Sequence, residues 1–353
     1  MIFNRKILSL EAIRGIAALM VLFFHSSQGI GLFTQEETFN IFFDFGNKGV
    51  DLFFVLSGFI IFFVHYQDID HRLRIKHYLW RRFSRIYPIY WIACSLALIF
   101  YALQGRVNGE EFGFQNILHS FLLFPFEIKR LLAVSWTLIY EVMFYFLFGL
   151  LILNRLLGQV IFIAWALIII STQLIGIKFP VQWEHLFAPR NLEFLFGMLA
   201  AACVIHFQQK LPIAIACLGF CIFLGFAIGE AYSSLLKTHI EGLLSPFIYG
   251  LGGSLFMMGI VSHEIHQKIF IPPFLLYLGA ASYSIYLIHV PALLFFFKMI
   301  GAFHIQNIFS EEALFMLSSV FALLIGILFY CIVEKPTRNF LVNFRKKHAV
   351  PLN

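Results

Sequence analysis

The chain has 353 residues, of which 60% are hydrophobic and only 12% are charged, and its mean hydropathy is +0.85. Soluble domains carry about 25% charged residues, so this composition excludes a water-soluble globule of this length. The net charge of +6 is interpreted as contact with anionic membrane lipids, and no nucleic-acid partner is expected.

Apolar runs of about 20 residues recur along the whole chain, and a helix of that length crosses the ~30 Å hydrocarbon core of a bilayer. Because backbone groups in lipid need partners within their own segment, these runs are predicted to be α-helices. The fold class is therefore all-α, a polytopic helix bundle that forms one membrane domain over residues 1–353. The ten predicted spans are 12–30, 49–66, 86–104, 134–153, 159–177, 190–207, 211–229, 243–262, 274–298 and 313–333.

The basic residues are distributed unequally between the two sides of these spans. If the N-terminus lies in the cytoplasm, 17 of the 25 lysine and arginine residues fall on the cytoplasmic side, as the positive-inside rule requires. An even number of spans then brings both termini to the cytoplasm, where a short basic tail begins at about residue 334. The sequence shows no internal repeat of the kind that marks many transporters.

The first span carries two ionisable side chains, Arg14 and His25. Eleven positions correspond to about three helical turns, so both residues face the same side and lie roughly 16 Å apart. Charged groups inside a membrane are costly, and a polar track with Arg14 at its inner end and His25 in the outer half would explain both. The alternatives are that Arg14 snorkels to the surface or pairs with Glu11, and that His25 is a hydrogen-bonded packing residue.

The second span opens with Asp51, and Ser57 and Gly58 permit close helix approach, so packing is the expected role of this segment. His65, at the far edge of the span, is expected to be solvated or interfacial. The segment RLRIKHYLWRRFSRIYP follows, and it is interpreted as a basic loop with an interfacial helix. Arg82 and Arg85 lie on one face of that helix at a spacing that suits a phosphate or pyrophosphate. The alternative is that they only mark topology and contact anionic lipid.

Two later spans also carry polar groups. Glu141 lies about two turns into the fourth span, where it can pair with an intramembrane Arg or His, act as an acid or base, or form a purely structural ion pair. The ninth span contains SYSIYLIHVP, whose polar stripe is predicted to face the bundle interior. Hydrogen-bonded helix packing is the alternative for this stripe. The sequence has no HExxH or CxxC signature, and no metal site is expected.

Six segments taken together resemble the acyltransferase 3 family of membrane acyltransferases. They are SLEAIRGIAALMVLFFH, GVDLFFVLSGF, RRFSRIYP, SWTLIYEVMFY, SYSIYLIHVP and VEKPTRNF, in the order of the family, and they span about residues 8 to 340. The resemblance implies a multi-pass enzyme of the bacterial inner membrane with cytoplasmic acyl-CoA, commonly acetyl-CoA, as donor substrate and no permanently bound cofactor. The implied acceptor is a hydroxyl of an extracytoplasmic glycan, free or lipid-linked, such as exopolysaccharide or lipopolysaccharide O-antigen.

The resemblance also implies roles for individual residues. The catalytic candidates are His25, Arg14 and Glu141, the candidates for binding the CoA donor are Arg82, Arg85 and Arg14, and those for binding substrate are Ser282, Tyr283 and His289. His25 is expected either to deprotonate the acceptor hydroxyl or to become a transient acyl-imidazole, and Glu141 to orient its imidazole. Some members of the family use an extra soluble domain for transfer. The membrane domain of this chain is expected to perform the transfer alone or with a separate partner protein.

Two other classes of protein compete with this interpretation. A proton-coupled transporter or flippase also uses intramembrane Arg, His and Glu, although the missing repeat argues against it. A non-catalytic membrane scaffold is the third possibility, and the buried charges argue against that one.

Overall fold

The computed structural model describes residues 6–34, 43–105, 107, 112–125, 130–232, 242–303 and 308–348. Within these ranges the chain contains no β-strand, and ten helical segments are long and apolar enough to cross a membrane. The predicted all-α class with ten spans is therefore confirmed. Lys6 and Arg338 line the same cavity, so the two described ends of the chain lie at one end of the bundle, the basic end.

Thirteen α-helices are present in the described ranges. They are α1 Leu8–Thr34, α2 Gly49–His65, α3 Ile75–Leu103, α4 Phe114–Leu122, α5 Trp136–Leu153, α6 Arg155–Ile175, α7 Val181–Phe187, α8 Asn191–His206, α9 Pro212–Tyr232, α10 Leu244–His266, α11 Pro273–Ala302, α12 Glu311–Phe329 and α13 Lys335–His348. The short helices α4 and α7 do not reach the length of a span by themselves, because a crossing needs about 20 residues. A 3-10 turn over Asp44–Lys48 leads directly into α2.

The third span differs from the sequence-based expectation. The prediction of an interfacial helix followed by a separate span from residue 86 was wrong, because α3 runs unbroken from Ile75 to Leu103. Pro88 removes one hydrogen-bond donor inside α3, and neighbouring helices in a bundle compensate for such a loss. This helix places the buried Arg82 and the more exposed Arg85 on the wall of a cavity that Arg14 also lines.

The segment predicted as a basic tail is helical. After α12, residues Tyr330–Glu334 form a π-helical segment, and α13 continues to His348. A π-helical segment changes the rotation of the residues that follow it, and such segments are frequent at functional sites. Here it leaves Glu334 buried, where its carboxylate accepts a hydrogen bond of 2.6 Å from Ser284 of α11.

Glycines bring the central helices into backbone contact. A Cβ atom added to Gly279 of α11 would lie 1.9 Å from the carbonyl oxygen of Glu11 in α1, and one added to Gly15 would lie 2.8 Å from the nitrogen of Gly279. In the same way, a Cβ on Gly58 of α2 would lie 2.0 Å from the carbonyl oxygen of Phe194 in α8, which agrees with the expected packing role. Small residues at these crossings allow van der Waals contact along the backbones.

The first turn of α1 is held by a carboxylate from another helix. The oxygens of Glu264, at the end of α10, accept hydrogen bonds from the backbone nitrogens of Leu8 at 2.7 Å and Ser9 at 2.9 Å. The first N–H groups of a helix have no intrahelical partner, and the helix dipole favours negative charge there. This contact fixes the height of α1, and therefore of Arg14 and His25, relative to the rest of the bundle.

The glycine contact between α1 and α11 can be tested by adding a methyl group. We expect Gly279→Ala to lower the free energy of unfolding by about 1–3 kcal/mol, because a backbone carbonyl occupies the space that the methyl needs. Thermal unfolding of the purified protein in detergent measures the effect. The control is Gly225→Ala, since a Cβ at this position of α9 meets nothing within 4 Å. Equal unfolding temperatures for the two variants would contradict the predicted close contact.

Candidate active site

A cavity of about 590 Å³ opens at the basic end of the bundle. Its lining is cationic, because the described residues contribute six basic side chains and two carboxylates. The basic residues are Lys6, Arg14, Arg81, Arg82, Arg85 and Arg338, and the acidic residues are Glu11 and Glu334. This basic vestibule presents an excess of positive charge to any anion that enters.

Arg14 points into the bundle and takes part in two cavities. It lines the basic vestibule and also a narrow cavity of about 70 Å³ that continues deeper between the helices. Glu11 pairs with Lys6 at 2.5 Å, and the ion pairs of the described residues include none between Glu11 and Arg14. Both cavities also share Arg82, Arg85 and Tyr283, so the arginines lie where the vestibule meets the narrow cavity.

Arg82 is buried and held by a chain of hydrogen bonds. Its Nη2 donates to Nε2 of His65 at 2.7 Å, and Nδ1 of His65 donates to Asp68 at 2.7 Å. Arg74 binds the other oxygen of Asp68 at 2.5 Å. Because a guanidinium can only donate, His65 accepts at Nε2 and is neutral. His65 was expected to be solvated or interfacial, but this prediction was wrong. Its side chain is fully buried, where it accepts the hydrogen bond from Arg82.

Glu141 lies on the wall of the narrow cavity near the arginines. Its carboxylate accepts hydrogen bonds from the Tyr145 hydroxyl and, at 3.4 Å, from Ser57 of α2. The Tyr145 ring in turn packs against Arg82, with 5.5 Å between guanidinium carbon and ring centroid. The described hydrogen bonds therefore connect Glu141 to the arginine side of the cavity. The expected pairing of Glu141 with the imidazole of His25 is not formed.

The candidate substrate-binding residues of α11 have different surroundings. Ser282 and Tyr283 both line the narrow cavity. The Ser282 hydroxyl donates to the carbonyl of Gly279 at 2.8 Å, a bond within its own helix. The Tyr283 hydroxyl donates to the carbonyl of Ile86 at 3.0 Å and so links α11 to α3. Both hydroxyls are thus committed to backbone carbonyls, and these side chains shape the cavity wall.

The deep end of the narrow cavity is lined by Tyr286. Its hydroxyl lies 2.9 Å from Thr137 Oγ1 in the first turn of α5, and its ring packs against Phe53 with 5.7 Å between centroids. On the other side, the Tyr286 ring centroid is 5.8 Å from that of His289. Tyr286 therefore lies between the narrow cavity and the imidazole of His289.

His289 and His25 form a direct pair. Nε2 of His289 lies 3.1 Å from Nδ1 of His25, although the two residues are 264 positions apart in the sequence. His289 is fully buried and His25 is partly exposed. The imidazole of His25 is therefore turned toward α11 in the bundle, as the polar-track hypothesis requires, and not toward lipid.

The hydrogen bonds of the histidine pair determine which nitrogen carries the proton. His289 Nδ1 donates to the carbonyl of Tyr286 at 2.7 Å, so in the neutral ring Nε2 is an acceptor. Nδ1 of His25 lies 2.9 Å from the carbonyl of Val21, and it donates both to this carbonyl and to His289 Nε2. In a neutral His25 the lone pair is then on Nε2. An imidazole held in this way can act as a base or as a nucleophile.

The structure brings most of the candidate residues to one continuous region. Arg14, Arg82 and Arg85 line both cavities, whereas the histidine pair lines neither of these two cavities and is separated from the narrow cavity by Tyr286. Sequence reasoning missed the His65–Asp68 support of Arg82 and the carboxylate of Glu334. The conspicuous VEKPTRNF segment was the only signal for Glu334, and nothing in the sequence pointed to His65.

Comparisons with known proteins show the family to which the chain belongs. The model of the acyltransferase domain family matches residues 7–333. The exopolysaccharide production protein ExoZ of Rhizobium meliloti is 27% identical over 317 residues, which are 86% of this chain and 93% of that protein. The peptidoglycan O-acetyltransferase OatA of Listeria monocytogenes is 25% identical over 82% of this chain, which spans only 50% of that relative. No solved structure matches the chain significantly.

The proton position on His25 can be tested by nitrogen NMR of histidine-labelled protein. We expect neutral His25 to carry its proton on Nδ1. His289→Ala removes one acceptor worth about 1 kcal/mol, so the tautomer equilibrium should shift about fivefold toward Nε2–H. His289→Gln, whose amide oxygen can accept, should restore part of the preference. His206→Ala, at a surface contact with Tyr66, serves as the control. A wild-type His25 protonated on Nε2 would contradict the described geometry.

Proposed function

The chain belongs to the acyltransferase 3 family of integral membrane acyltransferases, and from this premise we propose that it moves an acetyl group from cytoplasmic acetyl-CoA to a hydroxyl of an extracytoplasmic glycan. The family and its O-acetyltransferase members establish the coarser activity, an acyltransferase. The names of two relatives, which refer to exopolysaccharide and peptidoglycan, support a glycan as the acceptor. A multi-pass location in the bacterial inner membrane is part of the proposal.

The observation that carries the proposal is the path from the basic vestibule through the narrow cavity toward the histidine pair. CoA carries a 3′-phosphate and a pyrophosphate, and guanidinium groups bind such anions with paired, charge-assisted hydrogen bonds. Arg82 and Arg85 are the proposed phosphate ligands, with Arg14 beside them. The buried His65 keeps Arg82 in place, so little ordering is needed when the donor binds.

The dimensions of the site agree with the shape of the donor. Arg14 and His25 are eleven residues apart on α1, a rise of roughly 16 Å. The pantetheine arm of CoA is of the same order, about 15–20 Å when extended. Phosphates bound among the arginines would therefore allow the thioester to reach the level of His25. This distance favours a role for Arg14 in holding the donor rather than in touching the reacting carbonyl.

The proposed reaction uses Nε2 of His25. In one form, Nε2 takes the proton of the acceptor hydroxyl, the oxygen attacks the thioester carbonyl, and the CoA thiolate leaves with that proton. In the other, Nε2 attacks the carbonyl and the CoA thiolate leaves, which gives an acyl-imidazole; the hydroxyl oxygen then attacks the acyl group, the bond to Nε2 breaks, and the hydroxyl proton passes to the thiolate. Both forms need the lone pair on Nε2. Glu141 acts at a distance in either case, by holding Tyr145 against Arg82.

The distribution of charge supports the proposed direction of transfer. The basic end carries the vestibule arginines and most of the chain's lysine and arginine residues, which the positive-inside rule assigns to the cytoplasm. Acyl-CoA is then bound on the cytoplasmic side, and the histidine pair lies in the opposite half of the bundle. This arrangement favours transfer of the acyl group across the membrane to an acceptor on the outer side.

The role of His25 predicts loss of transfer on substitution. In membranes supplied with labelled acetyl-CoA, we expect His25→Ala to reduce glycan labelling at least a hundredfold, because the variant lacks the Nε2 atom that takes the proton or the acyl group. CoA binding should stay within twofold of the wild type. Full labelling by His25→Ala would overturn the mechanism. Solute movement without covalent label in glycan would instead favour the transporter alternative.

The role of the paired arginines predicts loss of donor affinity. We expect Arg82→Gln with Arg85→Gln to raise the dissociation constant for CoA at least tenfold, about 1.4 kcal/mol, because phosphate contacts are lost. Isothermal titration in detergent measures the effect, and the double variant should also bind with a weaker dependence on salt. Arg155→Gln, exposed at the same end outside the vestibule, is the matched control. If the double variant bound CoA with the affinity of the wild type, these arginines would only determine membrane topology.

A further inference from the structure

A second group of charged residues lies at the end of the bundle opposite the basic vestibule. Lys48 Nζ pairs with Glu230 at 3.0 Å, and Arg190 lies 3.9 Å from Asp51. Asp51 was expected to serve packing, but it is buried at 3% exposure within this ionic group. Ionisable side chains inside a membrane protein are costly and mark functional sites by default. The proposed acyl transfer uses none of these residues.

Glu193, on the first turn of α8, is the least expected member of this group. It is completely buried, and its carboxyl group forms a side-chain hydrogen bond with the carboxyl group of Asp51. Two carboxyl groups can share a hydrogen bond only when one of them is protonated, and burying such a pair lowers stability, so packing alone does not explain it. Its presence therefore indicates that this end of the bundle is built for more than packing.

A cleft of about 810 Å³ opens above these charges. This second cleft lies between the first turn of α2, the end of α6, the short helix α7 and the start of α10. Its described charged residues are Lys48, Lys178 and Arg190 together with Asp51, Glu184 and Glu230, and its aromatic residues are Tyr140, Phe179 and Phe187. The volume is within the range of ligand-binding pockets.

The composition of the second cleft differs from that of the basic vestibule. The second cleft has three basic and three acidic side chains, whereas the vestibule has six and two. A balanced lining does not select a polyanion such as CoA, but it can both accept hydrogen bonds from hydroxyl groups and donate to them. Aromatic side chains nearby provide surfaces for the C–H faces of sugar rings. This combination suits an uncharged or zwitterionic carbohydrate.

A single aromatic layer separates the second cleft from the narrow cavity. The guanidinium of Arg190 lies over the ring of Trp136 at 5.3 Å. The same ring contacts Tyr140 of the second cleft at 6.0 Å and Phe54 of the narrow cavity at 6.5 Å, measured between centroids. The next residue, Thr137, contacts Tyr286, which packs against His289. A molecule bound in the second cleft is thus a few side chains away from the histidine pair.

We propose that the second cleft binds the glycan acceptor, with hydroxyl groups held by Asp51, Glu184, Glu230 and Arg190 and the sugar to be modified next to Trp136. The inference rests on the proposed function and assigns the acceptor side of the reaction. It separates the two substrates by charge: a polyanionic donor enters at the basic end, and a polyhydroxylated acceptor enters at the opposite end. Donor affinity and acceptor use should therefore respond to different substitutions.

The test compares glycan acylation with donor binding in the full-length protein. Ser245→Trp places a large side chain in the second cleft. The rim variant, Glu184→Gln with Lys178→Gln, removes two exposed charges and leaves the buried charges in place. Each is expressed in the host strain that lacks the native gene, and mass spectrometry measures acyl groups per sugar in the surface polysaccharide. We expect at least a fivefold decrease, with the CoA dissociation constant of the purified variants unchanged within twofold. Asp51→Asn should act in the same direction.

The matched control is Glu312→Gln, which removes an exposed carboxylate at the same end but outside the cleft and should leave acylation unchanged. If both the Ser245→Trp variant and the rim variant are present in the membrane at the wild-type amount and give the wild-type number of acyl groups per sugar, the inference is overturned. A parallel loss of CoA affinity would also overturn it, because the variants would then act through the fold. A wild-type chain that neither binds CoA nor modifies a glycan would overturn the proposed function itself.

Discussion

The close contact between α1 and α11 is the constraint on which the site depends. Gly15 and Gly279 allow the two backbones to touch, and the helices run in the same direction. His25 follows Gly15 by ten residues and His289 follows Gly279 by ten residues, so the equal spacing brings the two imidazoles to the same level. Buried positions at a spacing of three and four residues between these points keep the helices in register, as in a coiled coil.

Charge in this protein is found where the helices leave space for it. The arginines of the basic vestibule face a cavity, the histidine pair lies behind the deep end of the narrow cavity, and the ionic group around Asp51 forms part of the second cleft. A low-dielectric surrounding makes each of these interactions stronger than it would be in water, and it makes an unpaired group more costly. The bundle therefore divides along its axis into a cationic end, a neutral imidazole centre and an electrically balanced end.

Neutral imidazoles serve as positioning groups at two places. His65 accepts a hydrogen bond from Arg82 and donates one from Nδ1 to Asp68. Because His65 is neutral, the charge of Arg82 remains available to bind an anion. His289 accepts from Nδ1 of His25 and leaves Nε2 available. In both cases a ring with one donor and one acceptor orients a neighbour without adding a net charge inside the membrane.

The all-α class, the ten spans and the intramembrane polar residues could be predicted from the sequence, because apolar length and intramembrane charge are local properties of the chain. The α1 periodicity also predicted that Arg14 and His25 share a side. The sequence did not predict that α3 begins at Ile75, that Glu141 contacts Tyr145 rather than His25, or that Asp51 belongs to an ionic group. Those outcomes, and the pairing of His25 with a residue 264 positions away, depend on contacts between helices that are distant in sequence, and such contacts are visible only in the folded chain.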